Sequence, residues 1–433
     1  MTCDYKCCYY FSGLRNYLEE FGRLNGGLHQ VFVEDGFYIG AFTMAGIIPE
    51  MFKTVCQRYF TIDACVNFFD GKDSGHSFIG EMETATHLIL PGALGLGYGE
   101  TNDCWQRFLS NTFQGFHDVS PECAEYFNNP RTIVAADRKN SIISTLQGYA
   151  VTRRADVRHI VETNLGGRNV SAAYDVANAW TEGQLTSALS TLEKTNEVAY
   201  KYILENVGLN SYARVRLVQH GGRLYGKESG VMANDAECSR FKSLGIRDAM
   251  PTEAIIRYHQ LLYDIIQKCI VHADYLKSSG QILSQFAHKR LTDYKHEYGC
   301  YSVLPNQTVS HPVVVQRGSD PYSNRTVDWE KKTCTCFYWQ DHDHLCVHAY
   351  VVAHHFSMTD NQQSFFDHAF HVSYHASTWI NFFTREKQLR LPDTSLLDMD
   401  GDVLKVPDHK NKCKKQSRYK GWNDSVSKKA KKN

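Results

Sequence analysis

Cys334, Cys336, Cys346 and His348 have the types and spacing of a closed zinc site. Three thiolates and an imidazole suit a borderline-soft cation, and a structural tetrahedron needs four such ligands. The spacing C-x-C-x9-C-x-H makes two close pairs joined by a loop. One residue separates the ligands of each pair, so both side chains leave an extended segment or tight turn on the same side. His342 and His344 lie in the loop and could compete as ligands. The pairing of Cys346 with His348 gives the more symmetric set. Zinc at such a site folds a small module and performs no chemistry by itself.

A second chemistry is suggested by acids on strands. Asp63 stands in the middle of YFTIDACV, flanked by apolar residues, and Asp137 ends the apolar run TIVAA just before Arg138 and Lys139. A carboxylate in an apolar strand is costly to bury unless it meets a cation. Two strand-borne aspartates are what a two-metal nuclease requires, because adjacent carboxylates can bridge Mg2+ or Mn2+ ions. Taken singly, each reads first as an ordinary strand-end residue.

These residues need elements to place them. Residues 14–24 have helical periodicity, Gly26 and Gly27 interrupt it, and 31–42 alternates as strands do. Residues 57–68, 76–82 and 85–96 predict three strands on short turns. Thr101 can cap a helix through Phe116 with Trp105, Phe108, Leu109 and Phe113 on one face. Residues 132–136 predict a strand and 140–149 a helix, giving the order strand, strand, strand, helix, strand, helix. Residues 172–206 and 251–292 are helical, 312–330 returns to strand, and 349–355 predicts a short helix after the zinc ligands. From 356 to 383 the chain is aromatic, histidine-rich and weakly helical.

Length and composition bound the reading. A chain of 433 residues exceeds what one core usually supports, and 42% hydrophobic content is ample for globular domains. No window holds eighteen consecutive apolar residues and no signal-peptide pattern opens the chain, which predicts a soluble, unsecreted protein. Fourteen cysteines scattered without framework spacing suit free thiols in a reducing compartment. Net charge is zero, which argues against a uniformly basic nucleic-acid coat. From Lys405 onward, however, eleven Lys or Arg face two acids. That tail reads as a nuclear localisation signal, a phosphate-binding arm or a solvated terminus without a partner.

The ligand pattern, with the strands TVDWEKKTCTC before it and AYVVAHH after it, resembles the SWIM zinc finger over residues 310–356. The run from FTIDACVNFF to GYGETNDCWQRFL resembles the core of Mutator-like element (MULE) transposases. Leu90, Pro91, Gly99, Glu100 and Trp105 match that family's strand and its G-E-x-x-x-x-W motif, and IVAADRKNSIISTL matches its second aspartate heading a helix. The family's third acid lies in an N-x-x-E context, matched by Asn234 to Glu237. The resemblance therefore implies an α/β, RNase H-like mixed sheet with a helical insertion, followed by a SWIM module. It implies a lead-in segment at 1–55, a core at 56–290 with the insertion at about 160–232, the zinc module at 310–356 and an extension at 357–433. Asp63, Asp137 and Glu237 become the catalytic triad holding Mg2+ or Mn2+, for phosphodiester cleavage and strand transfer at transposon ends in the nucleus. DNA is the implied partner, with a homo-oligomer possible.

The sequence departs from that family in three places. Asp156 stands where a cysteine is usual in a C-x-x-H pair with His159, which is then either a weaker ligand pair or a structural histidine. Ala64 replaces a frequent glycine. Cys3, Cys7 and Cys8 do not complete the DNA-binding zinc domain that autonomous members carry ahead of the core. The competing function is a non-enzymatic, transposase-derived DNA-binding regulator similar to the plant far-red-response factors. A weaker third is a protein-interaction zinc module on an inert relic.

Overall fold

The computed structural model describes residues 13–69, 72–136, 140–155, 157, 160–161, 171–219, 245–246, 249–305, 307–316 and 324–397. Helix α1 (Leu14–Asn25) buries Leu14, Tyr17, Leu18 and Phe21, the one-face spacing expected of an amphipathic helix. It ends at Gly26, and Gly27 then opens the hairpin of β1 (Gly27–Glu34) and β2 (Phe37–Ala45). The hairpin turns through Asp35 (φ 52°) and Gly36 (φ 77°), the positive φ pair that a tight two-residue turn demands. Helix α2 (Ile47–Thr54) follows directly, although its proline-containing sequence gave no helical signal.

Three long strands come next: β3 (Cys56–Phe69), β4 (Lys72–Thr84) and β5 (Ile89–Gly97). Helix α3 (Asn102–Val119) is capped by Thr101, whose hydroxyl accepts from Cys104 N–H at 3.3 Å. A short α4 (Pro121–Phe127) leads to β6 (Ile133–Ala136), α5 (Asn140–Leu146) and β7 (Thr152–Ala155). Strands β1 to β7 form one mixed seven-stranded sheet in the order β1-β2-β5-β4-β3-β6-β7. The first five pair antiparallel, whereas β6 runs parallel to β3 and β7 parallel to β6. The chain is thus α/β, and the N-terminal hairpin continues the central sheet.

Alternation along β3 divides its side chains between two layers. Phe60 and Ile62 face Trp105, Phe108 and Leu109 of α3. Cys65, with Ile79 and Leu94, faces α1 and the first turns of α11 (Pro251–Ser279). Gly95 on β5 permits close approach of α3: a Cβ there would lie 2.8 Å from a ring carbon of Phe108. Among the described residues no helix is long and apolar enough to cross a membrane.

Between β7 and α11 lie α6 (Ser171–Asn178), α7 (Glu182–Thr195), α8 (Glu197–Tyr202), α9 (Leu209–Tyr212) and α10 (Arg214–Gln219). Most of these share a small core of their own around Val176, Leu192, Ile203 and Tyr212. The helical 251–292 region breaks at Gly280 (φ 64°), so α11 and α12 (Gln285–Glu297) are separate helices. A four-stranded antiparallel sheet follows, built from β8 (Tyr301–Val303), β9 (Val313–Gln316), β10 (Arg325–Asp328) and β11 (Thr333–Cys334). It is completed by α13 (Tyr338–His342) and α14 (Val347–His355). Helices α15 (Gln362–Ala369) and α16 (Ala376–Phe382) are the last α-helices among the described residues, α15 packing on this module and α16 on the main core.

Candidate metal centre and the acidic strand

Cys334 ends β11, opposite Val327 of β10. The hairpin between them turns at Asp328, whose carboxylate accepts from Lys331 N–H at 2.9 Å, and at Lys332 (φ 55°). The Gln340 side chain brackets Cys334, donating to its carbonyl at 2.8 Å and accepting from its N–H at 3.0 Å. Phe337, with φ 62°, turns the chain back into α13 immediately after Cys336. Cys346 is the N-cap of α14 and His348 lies in that helix's first turn. The second ligand pair therefore sits at a helix start, one residue pair earlier than the 349–355 helix predicted from sequence, and not on an extended segment.

One ligand atom from each of Cys334, Cys336, Cys346 and His348 lies within 4.8 Å of every other. A zinc tetrahedron with Zn–S near 2.3 Å spaces its sulfurs by about 3.8 Å. The cluster therefore needs to contract by at most about 1 Å, and the donor set can hold a metal ion such as zinc. Backbone N–H groups point at two of the sulfurs, from Cys336 to Cys334 Sγ and from Ala349 to Cys346 Sγ, each at 3.5 Å. Such contacts orient a ligand sulfur and favour its thiolate. Nδ1 of His348 is buried without a hydrogen-bond partner among the described residues, and its ring meets Tyr301 edge-on at 5.2 Å.

Crowding three thiols without compensating positive charge separates their acidities. Hydrogen bonds from Cys334 and then Cys346 hold the Cys336 thiol far below its ordinary range. The hydrogen bond to Cys336 pushes Cys334 up to about 12, and burial pushes Cys346 up. Deprotonating several close thiols brings like charges together, which a divalent cation relieves.

The two competing histidines are placed elsewhere. His342 Nδ1 lies 3.0 Å from the Tyr338 carbonyl, and burial holds its pKa down to about 4. His344 is fully buried, stacked on Phe370 at 5.7 Å, with Nδ1 3.1 Å from the Leu345 carbonyl. Neither belongs to the ligand cluster.

Asp63 lies on β3 directly across from Ile79 and is buried at 8% exposure. Its Oδ1 accepts from Ala64 N–H at 2.6 Å. The last register partners of β3 and β6 are Ile62 and Ala136, the residues that precede Asp63 and Asp137 in sequence. Asp137 and Glu237 lie outside the described residues, as do Asp156, His159, Cys3, Cys7, Cys8 and the basic tail. Of the motif residues, Glu100 accepts from the indole N–H of buried Trp105 at 3.3 Å, which ties the start of α3 to the end of β5. No protein-family model and no curated protein matches this chain.

Two polar assemblies had no sequence signal. In the first, His29 Nε2 faces the Gly26 carbonyl at 2.9 Å and must carry the proton, so Nδ1 accepts from Thr43 Oγ1 at 2.8 Å. Thr43 then accepts from His259 Nε2 at 2.7 Å, and His259 Nδ1 accepts from the Tyr17 hydroxyl at 3.3 Å. In the second, Arg214 lies over Trp180 at 4.1 Å and 3.9 Å from Asp341, while Trp180 stacks on Phe337 at 5.4 Å. This contact seats the helices after β7 against the ligand loop. Residues that meet only in space, from segments far apart in the chain, leave no local pattern to read.

Proposed function

We propose that the chain is a DNA transposase of the Mutator-like class, in which an RNase H-like core carries Asp63, Asp137 and Glu237 and a SWIM-type zinc module follows. The supporting observation is the sheet. Strands β3, β4 and β5 form an antiparallel meander, and β6 and β7 add in parallel on the far side of β3, in the order β5-β4-β3-β6-β7. Two strands that are parallel neighbours each run, in sequence, into an aspartate just past their last shared register pair.

Asp63 presents a hard oxygen donor suited to Mg2+ or Mn2+, and such ions, when bound, activate a water or 3'-hydroxyl and stabilise the leaving oxygen of a phosphodiester. Asp63 is held in register with Ile79 of β4, one residue past the last β3–β6 pair, and its Ala64 N–H contact orients the carboxylate. The zinc module supplies position and not chemistry: Cys334, Cys336, Cys346 and His348 tie a hairpin to a helix start beside the helical insertion. DNA is the partner this reading requires, and the nucleus is where it places the chain.

The test is nicking of supercoiled plasmid by the full chain with Mg2+ or Mn2+, and its loss in Asp63→Ala. Wild-type nicking by Asp63→Ala overturns the catalytic assignment. Tight, salt-dependent DNA binding without cleavage in any divalent metal identifies a non-enzymatic DNA-binding regulator instead.

A further inference from the structure

Arg154 on β7 is 1% exposed, and its Nε, Nη1 and Nη2 all lack a hydrogen-bond partner among the described residues. A guanidinium stays charged at any ordinary pH and offers five N–H donors, so burying it bare is strongly unfavourable. Buried polar groups left unpaired in a folded protein call for a bound ion, a water or a functional reason. Here the whole donor set of the side chain is left over. The buried Arg214, by comparison, lies over an indole and close to a carboxylate.

Register fixes which face Arg154 shares. Glu81 of β4 pairs with Thr61 of β3, Thr61 with Ala135 of β6, and Ala135 with Arg154. Register partners present their side chains to the same side of a sheet, so this row crosses four strands on one face. Asp63 is two residues beyond Thr61 and therefore on that face too. Only the methyl group of Ala135 stands in the row between Arg154 and β3. The row is roofed by Leu217 of α10, which packs with Tyr59, Ile133 and Ala135. Among the described residues, Tyr212 is close enough to feel the Arg154 charge, and its hydroxyl donates to the Ala173 carbonyl at 3.1 Å. Helix α10 has six residues, a length with little helical stability of its own.

We propose that Arg154 is a phosphate-binding residue, taking two oxygens of a tetrahedral phosphate in its planar fork on the Asp63 face of the sheet. Naming that phosphate as a phosphodiester of DNA rests on the function proposed above. The anion site itself does not.

The experiment is thermal melting of the full chain in sodium phosphate against sodium chloride of equal ionic strength. Wild type gains melting temperature in phosphate only. Arg154→Met melts higher than wild type in chloride, because a bare buried charge is gone, and no longer responds to phosphate. Arg154→Lys, which keeps the charge and loses the fork, needs roughly tenfold more phosphate for the same rise. Asp63→Ala keeps the phosphate response, which separates this site from failure of the cleavage reading. A short DNA duplex stabilises wild type more than its methylphosphonate counterpart; equal effects overturn the assignment to DNA. Lower melting of Arg154→Met in chloride, or an unchanged phosphate response in that variant, overturns the site.

Discussion

Ile62 of β3 and Ala136 of β6 are register partners in a parallel pair, and each is followed in sequence by an aspartate. Asp63→Asn preserves the shape of its side chain while removing the charge. The expected outcome is a loss of metal-dependent nicking by roughly a hundredfold or more. The fold is retained, because the amide keeps the oxygen that accepts from Ala64 N–H. Single-turnover nicking and a melting curve on the same preparation check both halves.

Zinc binding should depend on the four clustered ligands and on no other histidine. Metal analysis of the purified chain is expected to give one zinc per chain, lost in Cys334→Ser and Cys346→Ser. His342→Gln retains it, since that ring is held by the Tyr338 carbonyl outside the cluster. Cys346→Ser also alters the cap of α14, so Cys334→Ser is the cleaner variant. Retention of full zinc by Cys334→Ser sinks the assignment.

The sequence made some of this legible. The cap at Thr101, the alternation through Asp63 and the C-x-C pair are local patterns, and each lies where its pattern placed it, whereas the C-x-H pair joins the cluster from a helix start. What stayed hidden was short or distant. Strand β7 has four residues, too few to show a period, yet it carries Arg154. Helix α2 contains Pro49 within an apolar run, and its helical state comes from packing into the main core through Ile48, Met51 and Phe52. The 3.9 Å approach of Arg214 to Asp341 joins residues more than a hundred positions apart.

That Arg214 contact has an energetic signature. Arg214 and Asp341 are 1% and 0% exposed at the side chain, so removing one partner takes an opposite charge away from a group shielded from water. Arg214→Met and Asp341→Asn alone should each destabilise the chain by about 3–5 kcal/mol. The double variant should cost less than their sum, with a coupling of about 0.5–3 kcal/mol. Urea unfolding of the four proteins measures the cycle, and strict additivity disproves the pairing. Because Trp180 stacks on Phe337, beside the ligand Cys336, chelating the metal should also shift Trp180 fluorescence, a change absent in Trp180→Phe.

Acid should weaken the packing of α1, β1 and β2 against α11 through one chain of hydrogen bonds. Burial holds the pKa of His29 below its ordinary value and that of His259 well below, with the His29 charge adding to the second. Both are neutral in the folded chain at neutral pH, and unfolding lets them take up protons near pH 6.5. The unfolded state then binds more protons than the folded one, so the stability these groups provide is complete above about pH 6.5 and declines as pH falls below it. Protonation also breaks the donor sequence, since a doubly protonated His259 turns an N–H toward the Tyr17 hydroxyl and cannot accept from it. His29→Asn should flatten the fall in urea midpoint between pH 6.5 and 5 measured for wild type. Thr43→Val, which removes the hydroxyl linking the two rings at 2.8 and 2.7 Å, should cost about 1–3 kcal/mol at pH 7.5. A wild-type stability that is flat across this range excludes the relay as a source of acid sensitivity.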